Sequence, residues 1–154
     1  VPVSLLHGNK LVMETVNGDF TGPFVDNVIS EISETLPMDK NEITAYAEEV
    51  MDRFRNPFIK HALADIALNS ISKFKVRVLP SLLGYYKTTK KLPTSLTFSL
   101  ACLIQFYKGT WNNEALPVKD TPELVEAFKK AWELGNIESV VASVLANTDF
   151  WDED

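Results

Sequence analysis

A group of cationic and neutral hydrogen-bonding side chains near the middle of the sequence has the composition of a site for a small anion. It contains Arg53, Asn56, Lys60 and His61, with Lys73 farther along the chain. An arginine can bind a carboxylate through two parallel N–H donors, while a lysine presents a compact positive charge. Asn56 and His61 add hydrogen-bonding groups suited to hydroxyls. Together these residues fit a small polyhydroxy acid, and we predict that they bind such a substrate.

The spacing of these residues brings them together only if the helix geometry is nearly continuous. Positions 53, 57, 60, 61 and 64 follow one another at intervals of three and four, the intervals that share one side of a helix. Lys73 and Arg77 are four residues apart and form a second cationic pair. Purely structural roles remain open for three of the five residues. Arg53 could pair with Glu49, Asn56 could cap a following helix, and His61 could be a satisfied interior histidine.

The charge distribution is strongly asymmetric along the chain. From residue 53 to residue 91 there are nine basic residues and one acid, a net charge of +8, whereas the whole chain carries −6. The rest of the chain therefore carries −14. This asymmetry indicates an anionic partner for the middle of the chain, although solvated faces of amphipathic helices would give the same count. The acidic overall balance argues against a nucleic-acid partner.

Other chemistries lack the residues that they need. There is no Gly-rich phosphate loop, so this chain should not bind a dinucleotide by itself. His7 and His61 lie far apart with no carboxylates spaced to complete a metal site. Cys102 is the only cysteine and lies in the apolar run 100–104, which predicts a buried structural thiol. We therefore predict no cofactor-binding or metal-binding residue in this chain.

The sequence has no feature of a membrane or exported protein. No apolar stretch approaches the roughly 20 residues needed to span a bilayer. The opening residues Val1-Pro2-Val3 lack an initiator Met and a basic region, so they do not form a signal peptide. We expect a cytoplasmic protein without a membrane partner, and we expect this chain to be part of a longer one.

Apolar residues recur at helical spacing almost throughout, which predicts an all-α fold in one domain over residues 1–154. Phe74–Val78 is the only candidate strand. Asp39 is predicted to cap a helix reaching Phe54. Thr94 or Ser95 is predicted to cap a buried central helix. The predicted helices cover residues 11–16, 24–32, 39–54, 58–70, 74–86 with a break at Pro80, 96–107, 121–134 and 139–145, with a loop at 111–119 and a frayed acidic end.

The motifs of the middle segment resemble the long-chain mannitol dehydrogenase family. The residues that carry the resemblance are Arg53-Phe54-Arg55-Asn56-Pro57-Phe58-Ile59-Lys60-His61, Lys73-Phe74-Lys75-Val76-Arg77-Val78-Leu79-Pro80, Leu96-Thr97-Phe98 and Phe106-Tyr107-Lys108-Gly109. The Arg-Phe-x-Asn-Pro element is shared across that family. The longer version found here is most similar to the tagaturonate reductase branch.

The resemblance implies an NAD-dependent oxidoreductase that interconverts D-tagaturonate and D-altronate, for which this chain supplies a helical C-terminal substrate-binding domain. The fold it implies is the multi-helix bundle seen in the C-terminal domains of such dehydrogenases, similar to that of 6-phosphogluconate dehydrogenase. An N-terminal Rossmann domain, absent from this chain, would bind NAD and be the partner of this domain. The family's catalytic lysine, asparagine and histidine lie just before the stretch that matches Val1, so the resemblance implies no catalytic residue in this chain. The chain alone is then predicted to be inactive. The resemblance also assigns Arg53, Asn56, Lys60, His61 and Lys73 to the substrate wall.

Two other functions remain compatible with the sequence. A relative in the same family could act on fructuronate and mannonate, or on mannitol. Alternatively, the chain could be a non-catalytic helical module for interaction or oligomerisation.

Overall fold

The structure, a computed structural model, describes residues 1–151 and consists almost entirely of helices. The helices are α1 (Pro2–His7), α2 (Val12–Asn17), α3 (Thr21–Ser33), α4 (Lys40–Arg55), α5 (Leu63–Ile66), α6 (Ser70–Arg77), α7 (Leu79–Thr89), α8 (Thr94–Phe106), α9 (Pro122–Trp132), α10 (Ile137–Leu145) and α11 (Thr148–Trp151). The all-α prediction is confirmed. The predicted fraying of the acidic end concerns residues 152–154, which lie outside the described residues.

Several helices begin where the sequence predicts a capping side chain. The Asp39 carboxylate accepts a hydrogen bond from the backbone of Asn41 at 2.8 Å, at the start of α4. Thr121 accepts from Leu124 at 3.4 Å, and Pro122 occupies the first turn of α9. These polar side chains bind N–H groups that have no partner within the helix. The predicted starts of α4 and α9 are therefore confirmed.

The predicted helix from Phe58 to Ser70 is wrong. Asn56 is held in extended geometry (φ −65°, ψ 114°) because it precedes Pro57. Its side-chain oxygen accepts a hydrogen bond from the backbone of Phe58 at 3.0 Å, which closes a turn instead of opening a helix. The chain then remains irregular until Ala62, which pairs with Leu11 in an isolated antiparallel bridge. Only residues 63–66 form a short helix before α6.

The segment 74–86 contains the break predicted at Pro80, and it contains no strand. Helix α6 ends at Arg77, Val78 forms the junction, and Pro80 is the second residue of α7. A proline is tolerated there because N–H groups in the first turn have no intrahelical acceptor. The candidate strand from Phe74 to Val78 is helical up to Arg77, so that alternative is wrong.

The predicted cap of α8 is also wrong. The cap position is Pro93, and neither Thr94 nor Ser95 caps the helix with its side chain. The carboxylate of Glu31, on α3, instead accepts from the backbone N–H groups of Ser95 and Leu96. The helix itself is buried as predicted, because Leu96 and other apolar residues along it are almost inaccessible to solvent.

A small hairpin overlaps the predicted loop at 111–119 and begins one residue before it. Strands β1 (Thr110–Trp111) and β2 (Glu114–Ala115) pair antiparallel through a two-residue turn. Asn112 and Asn113 form this turn with positive φ values of 49° and 66°. Asparagine tolerates this geometry, which matches the twist of a two-residue hairpin.

The core is divided into two hydrophobic clusters. The larger contains an aromatic stack in which the Phe128 ring lies 4.5 Å from the Tyr107 ring and 4.8 Å from the Phe150 ring, measured between centroids. The smaller is formed by Val12, Val16, Met51 and Leu63. Helix α8 packs against both α1 and α3. Residues of α1, α3 and α8 enclose part of a cavity.

Candidate functional site

A cavity of about 370 Å³ lies among the helices of the first two thirds of the chain. Residues of α1, α2, α3, α5, α6 and α8 line it, together with Phe54 from the end of α4. Most of the wall is apolar. A volume of this size matches the lower range of small-molecule sites, which combine apolar walls with a few polar groups.

The charged side chains that line the cavity are both cationic. Lys73 and Arg77 reach it from α6, whereas no aspartate or glutamate among residues 1–151 contributes to its wall. Ser70 and Phe74 line the same face of α6, so the four residues follow the i, i+3, i+4, i+7 pattern of one helical face. The cavity therefore favours an anion on electrostatic grounds.

Lys73 is held in place by a backbone acceptor. Its ammonium group donates a hydrogen bond of 2.7 Å to the carbonyl oxygen of Ile66, another residue of the cavity wall. The side chain is partly buried. A lysine has three N–H donors, so two remain available to a ligand. The bond to Ile66 fixes the position of the ammonium group before any ligand binds.

Three serines add hydroxyl groups to the cavity wall. Ser70 is buried and donates to the carbonyl oxygen of Ala67 at 2.7 Å, which leaves its oxygen lone pairs available. Ser4 is also buried, and Ser99 is partly buried. Within residues 1–151, neither the Ser4 nor the Ser99 side chain makes a hydrogen bond. Hydroxyls of this kind both donate and accept, which suits the hydroxyl groups of a sugar.

The amino end of α1 also lies at the cavity. Val1, Pro2 and Val3 line the wall there. Nearby on α8, burial raises the pKa of the Cys102 thiol to about 11. The thiol is partly buried and stays protonated at neutral pH. This environment agrees with the structural role predicted for Cys102, because a protonated thiol is a poor nucleophile.

The close approach of α2 and α3 shapes one side of the cavity. A Cβ atom at Gly22 would lie 2.9 Å from the backbone oxygen of Val16, so glycine is required for this approach. The adjacent Thr21 hydroxyl donates to the backbone oxygen of Thr15 at 2.6 Å. Both contacts fix α3 against α2. Residues of both helices line the cavity, so this local geometry helps to define its wall.

Of the five predicted substrate residues, only Lys73 lines the cavity. Arg53 is exposed and forms an ion pair of 3.5 Å with Glu49, the structural role that the sequence left open. Asn56 is engaged in the turn at Phe58 described above. The condition for a shared face from position 53 to position 64 is not met, because α4 ends at Arg55 and α5 begins only at Leu63.

Lys60 and His61 lie in the irregular segment after α4 and are exposed. The backbone carbonyl of His61 accepts a hydrogen bond from Val12 at 3.0 Å. This segment lies between Phe54 and Leu63, both of which line the cavity. Its two ends are therefore anchored at the cavity wall, while the side chains of Lys60 and His61 are in solvent.

Arg77, Ser4 and Ser99 also line the cavity, but they were not predicted as substrate residues. The pairing of Arg77 with Lys73 at a spacing of four was a usable signal. The two serines gave no such signal, because Ser4 and Ser99 belong to different helices that meet only in the folded chain. Their shared position at the cavity is a consequence of tertiary packing.

A second depression, between α3 and α4, measures about 600 Å³. Its lining carries both signs of charge, including Asp26, Glu48, Lys40 and Arg55. A mixed rim of this kind does not favour a ligand of either charge. The smaller cavity is therefore the better candidate site, even though the depression between α3 and α4 has the larger volume.

Two kinds of feature are absent from residues 1–151. No helix there is both long and apolar enough to cross a membrane. No group of three or more His, Cys, Asp or Glu side chains there is arranged to hold a metal ion.

Comparison with known proteins identifies the family. Altronate oxidoreductase from Escherichia coli O7:K1 is 40% identical over 160 residues, an alignment that covers 100% of this chain and 33% of that protein. The proteins of the same name from Escherichia coli O157:H7 and Escherichia coli strain K12 are likewise 40% identical with the same coverage. The chain thus spans about a third of the length of these relatives. The family described as the mannitol dehydrogenase C-terminal domain matches residues 1–154, and the chain belongs to that family.

Proposed function

We propose that this chain is the substrate-binding domain of an NAD-dependent oxidoreductase that interconverts D-tagaturonate and D-altronate. The relatives named altronate oxidoreductase match it along its whole length. The observation that carries the proposal is the cavity whose charged side chains, Lys73 and Arg77, are both cationic. Both sugar acids carry a carboxylate, so each has the charge that this cavity favours.

In this proposal Lys73 contacts the sugar acid inside the cavity. Its ammonium group is already oriented by the Ile66 carbonyl, so little rotational freedom is lost when it binds an anion. Ser4, Ser70 and Ser99 offer hydroxyl partners to the sugar chain. Holding the substrate at several points fixes the orientation of its carbonyl group, which lowers the entropic cost of the reaction.

The residues of this chain do not fit the dinucleotide itself. NAD sites of the Rossmann type need a Gly-rich turn between a strand and a helix of a parallel sheet. The sequence has no such turn, and the two strands among residues 1–151 form only an antiparallel hairpin. We propose that NAD, which supplies or accepts the hydride, binds to the two thirds of the full protein that the relatives contain beyond this match. The full protein would be cytoplasmic.

The segment carrying Arg53, Asn56, Lys60 and His61 has a secondary place in this proposal. It begins and ends at the cavity wall, and its side chains point into solvent or bind neighbouring groups of the same chain. These residues would contact a substrate from the rim of the cavity rather than from its interior. Their contribution to binding should be smaller than that of Lys73.

The first test is the activity of the full natural protein, followed by the absorbance of NADH, with tagaturonate, fructuronate and fructose as substrates. We expect the highest kcat/KM with tagaturonate and no turnover by the 154-residue chain alone. A preference for fructuronate or fructose would be compatible with the family but would replace tagaturonate as the proposed substrate. Absence of nicotinamide-dependent activity with all three would contradict the proposal and favour the non-catalytic interaction module.

Substitutions test where the substrate binds. Lys73→Met should lower kcat/KM for tagaturonate about 10- to 100-fold, because a charge-assisted hydrogen bond is lost. The double change Lys60→Ala with His61→Ala should lower it less and should affect uronates more than hexitols. A larger loss from the double change than from Lys73→Met would place the substrate at the rim segment instead.

A further inference from the structure

We infer that Arg77 makes the cavity selective for a carboxylate over a neutral sugar. The inference rests on the proposed function for the identity of the substrate, and it goes further by assigning the binding of the carboxylate to Arg77. Arg77 lies one helical turn beyond Lys73 on α6, on the same face. A turn of four residues advances about 6 Å along the helix axis.

The two cations differ in environment. Lys73 is partly buried and already donates to Ile66 at 2.7 Å. Arg77 is exposed, and no residue in the range 1–151 forms an ion pair or hydrogen bond with its guanidinium group. Its donors are therefore available to a ligand. The other two arginines of the chain are paired, Arg53 with Glu49 and Arg55 with Asp52.

The geometry of arginine suits the end of a sugar acid. A guanidinium group presents parallel N–H donors that match the two oxygens of a carboxylate, whereas a hydroxymethyl group offers only one oxygen. An exposed arginine also allows the carboxylate to keep part of its hydration, so the cost of removing its water is small. The carboxylate would bind Arg77 at the exposed end of the α6 face, with the sugar hydroxyls extending past Lys73 towards the buried Ser70.

The apolar surroundings strengthen this selectivity. Phe74 lies between Lys73 and Arg77 on the same face and is buried. No carboxylate among residues 1–151 lines the cavity, so no internal anion competes for the two cations. A neutral ketose would gain the hydroxyl contacts with serines but would leave Arg77 in water. The cost of losing Arg77 should therefore depend on the charge of the substrate.

The test is steady-state kinetics of the full natural protein carrying Arg77→Leu, with tagaturonate and the neutral ketose fructose. We expect KM for tagaturonate to rise about 10- to 100-fold with little change in kcat, and kcat/KM for fructose to remain near the wild-type value. Arg77→Lys should give an intermediate KM, because it keeps the charge without the paired donors. Lys129→Leu, which removes an exposed cation paired with Glu126 on α9, is the control, and it should leave KM unchanged for both substrates.

Equal losses with both substrates, or an unchanged KM for tagaturonate, would overturn the role of Arg77. Inactivity of the wild-type protein with every sugar would instead count against the proposed function. In that case, calorimetric titration of the protein with D-gluconate, which carries a carboxylate, and with the neutral D-sorbitol tests the role of Arg77 through binding alone. Binding of gluconate that Arg77→Leu weakens at least about 10-fold would support the inference. Gluconate binding that is absent, or that is the same in both proteins, would overturn it.

Discussion

The carboxylate of Glu31 on α3 binds the backbone N–H of Ser95 on α8 at 2.8 Å. Its second oxygen accepts from the N–H of Leu96 at the same distance. A side chain from one helix thus provides the cap of another, 64 residues away in the sequence. The negative charge also lies at the positive end of the α8 dipole. Both helices line the cavity, so this contact sets the separation of two of its walls.

Replacing Glu31 with Ala should lower the free energy of unfolding by about 1–2 kcal/mol, because two N–H groups lose their acceptor. Glu31→Gln should have a smaller effect, since an amide oxygen can still accept one bond. Urea unfolding followed by circular dichroism measures both changes. Glu34→Ala, at the exposed end of α3, is the control. A loss no larger than that of the control would mean that α8 does not depend on this cap.

The Tyr107 hydroxyl joins three parts of the fold, and its removal should be destabilising. It donates to the Asp120 carboxylate and accepts from the buried N–H of Ile71 at 3.1 Å. Burial and the contact with Asp120 raise the pKa of Tyr107, which keeps the donor protonated. Tyr107→Phe should cost about 1–3 kcal/mol, because both partners lose a hydrogen bond. Thermal unfolding compares it with Tyr46→Phe at an exposed site, and equal melting temperatures would contradict this role.

Cys102 should react slowly with thiol reagents in the native chain. Burial raises its pKa from 9.0 to about 11, which reduces the thiolate fraction at pH 8 about 100-fold. Ellman's reagent should therefore modify the thiol at least that much more slowly in buffer than in urea. The unfolded chain is its own control, because Cys102 is the only cysteine. Similar rates in both states would mean that the thiol is accessible and ionised.

The sequence predicted those parts of the fold that depend on neighbouring residues. The start of α4 at Asp39 and the break before Pro80 follow from side chains within one turn, and both are confirmed. The cap of α8 could not be found in this way, because its acceptor comes from α3. The helix predicted after Pro57 failed for a similar reason. Its residues show helical spacing, but the pairing of Ala62 with Leu11 holds the backbone in an extended conformation.

The candidate site was predictable in its charge but not in its composition. The excess of basic residues pointed to an anion, and Lys73 lies where an anion could bind. Arg53 was a plausible partner by type, yet its local pairing with Glu49 engages it elsewhere. Whether a cation on a helix contacts a ligand depends on which face meets the cavity. That face is set by packing among helices distant in sequence.

Within residues 1–151, every residue that lines the cavity lies between Val1 and Leu103, whereas two rings of the aromatic stack, Phe128 and Phe150, come later. A ribosome delivers the chain from its amino end, so the whole cavity wall is synthesised before these rings are available. The cavity wall and these two rings are thus encoded in successive stretches of the gene. A mutation after position 103 can change the stability of the domain while leaving every side chain of the cavity wall in place. A mutation before that position can change both, because Phe74 and Leu103 belong to the cavity wall and to the same hydrophobic cluster as the two rings.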